Sequence, residues 1–172
     1  MNFPTREKKN VRSLALLLPA LALATAAHAA DVETVKVTIH GGKNAGTYEK
    51  STASGGCTYG FAGPGSWGNQ LSDAKDKDPK KFNSLQLVVP DAKKAASGSQ
   101  EFLLTVGFGP LLARSAEYKV DTRASAPKKS GSGTVTVHDA GNTAKVDFSV
   151  ATADGVRIEG TIDCHRVMRN GA

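Results

Sequence analysis

The sequence predicts an all-β protein, an antiparallel β-sandwich of about eight short strands held by one disulfide. Three observations carry that prediction. Apolar and polar residues alternate with a period of two in segment after segment. Glycine-rich and Asp-Gly or Gly-Asn turn signals separate those segments. The two cysteines, Cys57 and Cys164, both fall on the apolar faces of such segments. A small closed β-barrel shows the same alternation and is the alternative architecture.

The first 30 residues stand apart from this pattern. Arg6, Lys8, Lys9 and Arg12 precede an apolar run from Leu14 to Ala24, and Ala27-His28-Ala29 follows as a small-x-small triplet. That order of parts predicts a secretory signal peptide, with cleavage after Ala29 or Ala30. The run is well short of the roughly 20 apolar residues needed to span a bilayer. Residues 31–172 are then expected to form a single β domain, with no transmembrane segment after cleavage.

Export changes the charge argument. The chain carries 22 Lys and Arg against 16 Asp and Glu. The signal holds four basic residues and Glu7, which leaves 18 basic against 15 acidic residues in the mature part. A balance this mild argues against nucleic acid as a partner, which calls for a concentrated basic face.

The strands read off in order. Val35, Val37 and Ile39 share one face, with Lys36, Thr38 and His40 on the other. Cys57, Tyr59 and Phe61 share a face. Leu85, Leu87 and Val89 alternate with Gln86 and Val88. Phe102, Leu104, Val106 and Phe108 form the next apolar face, and Ala116, Tyr118 and Val120 the one after it. The last three strands, 133–138, 143–150 and 155–165, read as a meander through turns at Gly141-Asn142 and Asp154-Gly155. In the final strand Val156, Ile158, Ile162 and Cys164 point inward and His165 outward. Gly160 lies on the inner face, where a strand glycine marks a bend or a close backbone approach. No convincing helix is present, although 91–100 has room for one short turn. Residues 41–46 and 51–56 read as loops, 62–82 as a long connection and 122–132 as a basic, flexible loop.

In an exported chain an even cysteine count predicts one bond, Cys57–Cys164. It closes a loop of 107 residues, worth on the order of 4–5 kcal/mol in the chain-entropy model. Many short strands and one bridge give the chain a look that resembles immunoglobulin-like domains. Its bridge spacing is longer than theirs, and Trp67 falls in a loop here, so no residue role is carried over.

Three candidate sites remain. Trp67, the only tryptophan, lies in a Gly-rich loop, where it either folds back on the edge of the core or stands free to stack on a sugar or anchor a partner. Leu111 and Leu112, in GPLLARS, would form an apolar contact patch if exposed. His40, His138 and His165 face outward near strand ends. They lack any fixed ligand spacing, so the expectation is scattered surface histidines and no metal. Asp147, Glu159 and Asp163 are expected to pair across strands with Lys145 and Arg157 rather than act as a general acid and base. No nucleophile elbow occurs.

The expected function is that of an exported, non-enzymatic β-sandwich, periplasmic or extracellular, that binds another macromolecule and carries no cofactor. The alternative is a β-barrel carrier of a small apolar ligand. A hydrolase or metalloenzyme ranks behind both.

Overall fold

A computed structural model of the chain describes residues 31–73 and 75–171. The expected signal peptide, 1–30, and its cleavage point lie outside the described residues.

Eleven strands and one short helix are described. In chain order they are β1 (Glu33–His40), β2 (Gly46–Thr52), β3 (Gly56–Tyr59), β4 (Trp67–Ser72) and β5 (Phe82–Val89). Then come α1 (Ala92–Ala95), β6 (Leu103–Phe108), β7 (Ala116–Asp121), β8 (Ser132–Asp139), β9 (Ala144–Ala151), β10 (Arg157–Cys164) and β11 (Val167–Arg169). They form two sheets, one of five strands in the order β2-β1-β10-β9-β8 and one of six in the order β11-β3-β4-β5-β6-β7. The sheets face each other as a sandwich. Among the described residues each sheet keeps two edge strands, β8 meeting only an isolated bridge from Ser99, so the sheets pack as a sandwich and not as a closed barrel.

The alternation explains the core. In β1, Val35, Val37 and Ile39 are buried, and Val146, Phe148, Val150, Ile158 and Ile162 join them from β9 and β10. Leu71, Leu85, Leu87, Leu104, Val106 and Phe108 come from the opposing sheet. Burying such a side chain contributes on the order of 1.5–3 kcal/mol. At one end Phe108 meets Tyr48 edge-on at 4.9 Å, with Phe82 and Tyr118 beside it.

The meander is present as expected. The β8–β9 turn closes through Ala140 N–H to Thr143 O, and Gly141 takes a positive φ of 87°. Glycine tolerates that angle without a Cβ clash. The β9–β10 turn closes through Thr152 N–H to Val156 O. At Gly160, the ring of Phe148 and the carbonyl of Lys36 occupy the place a Cβ would need.

Several expectations need correction. The segment 62–82 is not one long connection, because β4 runs through it. Its inward residues are Trp67, Asn69 and Leu71, and the polar Asn69 breaks the apolar signal. Residues 46–52 form an edge strand, β2, whose exposed, polar composition hides the alternation. Phe61 leaves the face of Cys57. The chain turns at Gly60 (φ 76°), and Phe61 lies over Gly68, on the side of the sheet away from Trp67. The pairing is not wholly antiparallel, since β11 runs parallel to β3. The root of the 122–132 loop is pinned by paired hydrogen bonds between Asp121 and Ser130 and by a two-pronged Arg123–Asp121 ion pair at 2.9 Å.

Candidate functional site

One cleft lies on the outer face of the six-stranded sheet. Strand register places two rows of side chains across it. Gln70, Gln86, Thr105 and Lys119 are consecutive partners on β4, β5, β6 and β7. Ser72, Ser84, Gly107 and Glu117 form the neighbouring row. Gly107 has no side chain, and the Arg114 side chain and the Ser84 hydroxyl crowd the position its Cβ would take. Arg114 reaches there from the β6–β7 loop and pairs with Glu117. The result is a groove of about 230 Å³ whose wall includes Leu111. Ser84 and Thr105 are buried although they point away from the core.

The chemistry of this lining is hydrogen bonding in both senses. Each glutamine amide offers two donors and an acceptor, and the hydroxyls of Ser72, Ser84 and Thr105 do both. Arg114 and Lys119 add donors. The carboxylate in the groove, Glu117, is already held by Arg114. No imidazole lies among the lining residues, so the groove's hydroxyls have no histidine base beside them.

The sequence candidates fall in different places. Leu111 is 42% exposed on the groove wall, and Leu112 beside it is 99% exposed. Trp67 is at 0% exposure in β4, within the core, so the expectation of a loop tryptophan available to a ligand is corrected. Its phase explains this: Trp67 opens a strand and points inward with Asn69 and Leu71. Its indole N–H has no hydrogen-bond partner among the described residues.

Cys57 and Cys164 are bonded, with Cα atoms 5.9 Å apart, and join the two sheets. That separation is ordinary for a disulfide. A disulfide is consistent with an oxidising, exported compartment. Cys164 is buried and His165 exposed, as the alternation requires.

The histidines divide. His40 Nε2 lies 3.6 Å from Glu159, and His138 Nε2 lies 3.8 Å from Asp147. His165 Nδ1 meets the Asp31 carbonyl at 3.0 Å. His138 and His165 share a shallow depression with Lys145 and Asp163. Among the described residues no group of three or more His, Cys, Asp or Glu is placed to hold a metal. Asp147 does approach Lys145, at 3.7 Å, whereas Glu159 is met by His40.

Sequence reasoning missed Gln70, Ser72, Ser84, Thr105 and Arg114. The available signal was the phase of 67–72, in which Gly68, Gln70 and Ser72 alternate with Trp67, Asn69 and Leu71. Among the described residues no helix is long and apolar enough to cross a membrane. Compared with known proteins, the chain has no significant match to any family model, curated protein or solved structure.

Proposed function

We propose that this is an exported binding module of the periplasm or extracellular space. It holds a hydroxyl- or amide-bearing macromolecule in the groove across β4 to β7. The observation that carries this reading is the two-row array Gln70–Gln86–Thr105–Lys119 and Ser72–Ser84–Gly107–Glu117, walled by the loop that presents Leu111 and Leu112. An array made mostly of uncharged donors and acceptors, with Glu117 held by Arg114 and Lys119 at its edge, suits a polar surface of low charge. The exposed leucine pair supplies the apolar contact that a polar groove lacks. The carrier alternative loses its main support, because the space between the sheets is filled by Trp67, Phe102, Phe108 and their neighbours.

The test is an NMR titration. A ¹⁵N-labelled mature chain is mixed with a soluble extract of the source's cell envelope, and amide shifts are followed. Changes confined to β4–β7 and the 109–115 loop are expected. Changes confined to the five-stranded sheet would move the site elsewhere.

A further inference from the structure

Glu33 opens β1 in phase with Val35, Val37 and Ile39, and it is 0% exposed. A carboxylate on a core face requires an explanation, because burying a charge without a partner is among the most costly things a fold can do. Register and bonding supply the surroundings. Glu33 pairs with Cys164 in one sheet, and Asn69 pairs with Cys57 in the other. The disulfide joins the two cysteines across the sandwich. The Asn69 Nδ2–H donor reaches Glu33 Oε2 across the same gap. Cys57 Sγ lies 3.6 Å from Asn69 Nδ2 and 3.9 Å from Glu33 Oε2. Four residues thus make one clasp, with a covalent link and a hydrogen bond side by side.

Two atoms of this clasp are unmatched: Glu33 Oε1 and Asn69 Oδ1 are buried with no hydrogen-bond partner among the described residues. Both are acceptors when Glu33 is ionised. One proton on Glu33 turns its unmatched oxygen into a donor, and the amide oxygen of the side chain already bonded to it is the acceptor left over.

We propose that Glu33 is protonated in the folded protein and forms a two-hydrogen-bond carboxylic acid–amide pair with Asn69, a proton-controlled latch beside the Cys57–Cys164 bond. The electrostatics agree with the geometry. Burial pushes the Glu33 carboxyl up to about 7, against the opposing effect of the Asn69 hydrogen bond. The groups facing the pair are the disulfide from β3 and β10, Asn69 from β4 and Thr52 from β2, and none of them titrates. The nearby ionisable residues Asp31, Asp163 and His165 are exposed. Loss of the proton leaves a charge buried where the start of β1 meets the end of β10, so the latch loosens toward alkaline pH.

The test follows the wild-type carboxyl directly. In a ¹³C-labelled chain, the Glu33 side-chain carboxyl resonance is expected to titrate near neutrality. Titration in the ordinary carboxylate range would overturn the proposal. Urea unfolding of the wild type and of Glu33→Gln gives an independent reading. Glutamine mimics the protonated acid and keeps both hydrogen bonds, while the three exposed histidines are unchanged. From pH 5 to 8 the wild-type folding constant is expected to fall by a factor on the order of 10–100 relative to that of the variant. Parallel pH profiles for the two proteins would overturn it.

Discussion

Cys57 and Cys164 lie 107 residues apart in sequence, yet their bond joins the two sheets, tying β3 to the end of β10 beside the start of β1. Cys164 closes β10 opposite Glu33, the first residue of β1. The chain then crosses between sheets through His165 and Arg166, and Val167 pairs beside Cys57. Bond and crossover thus fasten the same corner of the sandwich.

Replacing both cysteines with alanine is expected to lower stability by roughly 2–5 kcal/mol, measured by urea unfolding. His165→Ala should change it by less than about 0.5 kcal/mol, since the side chain is exposed. Denatured, unreduced protein should show no titratable thiol.

Trp67 should emit as a buried indole, blue-shifted and resistant to iodide quenching. Trp67→Ala should destabilise the fold by about 3–5 kcal/mol, through lost transfer energy and the cavity left behind. Red-shifted, readily quenched emission would place the side chain at the surface instead.

Gly160 is required by its neighbours. A methyl group there meets the Lys36 carbonyl and the Phe148 ring, both parts of paired strands with little room to move. Gly160→Ala should cost about 1–3 kcal/mol in thermal or urea unfolding. Gly141→Ala meets nothing within 4 Å, so its effect should come from backbone strain alone.

Legibility in the sequence followed the alternation. Wherever one face was apolar along most of its length, as in β9 and in β1 beyond Glu33, strand and phase could be read. The pattern failed where a strand buried a polar residue or exposed both faces. Asn69 disguised β4, and the polar edge strand β2 looked like loop. Since β4 supplies Gln70 and Ser72, losing it hid half the groove, and it left Trp67 looking like a loop residue. Glu33 was readable in principle, being in phase with three buried aliphatics, but only Asn69 and the disulfide give that phase a chemical meaning.

Stability should respond to pH with two opposite limbs. The Glu33 pKa is raised from 4.5 to about 7 in the fold. Its stabilising contribution is therefore whole below about 4.5 and is lost as pH rises through 7, a change of roughly 3 kcal/mol. Asp121 and Asp73 behave in the reverse sense. The Arg123 guanidinium holds Asp121 below the usual carboxylate range, and Lys50 does the same for Asp73. Their contribution is present above that range and is lost as pH falls through it. Urea midpoints measured from pH 3 to 9 should peak on the acidic side of neutrality. Asp121→Asn should flatten the acid limb and leave the decline toward pH 8 in place.

Binding through the groove is tested most directly by capture from a soluble envelope extract with matched variants of immobilised residues 31–172. Gln86→Arg fills the groove floor, Leu112→Asp removes the exposed apolar contact, and Lys145→Ala alters the outer face of the opposite sheet. All three should unfold at the wild-type urea midpoint within about 0.5 kcal/mol, as surface changes do. The expected result is a component retained by the wild type and by Lys145→Ala, and lost with Gln86→Arg and Leu112→Asp. Equal retention by all four proteins, or loss with Lys145→Ala alone, would contradict a binding site on this face.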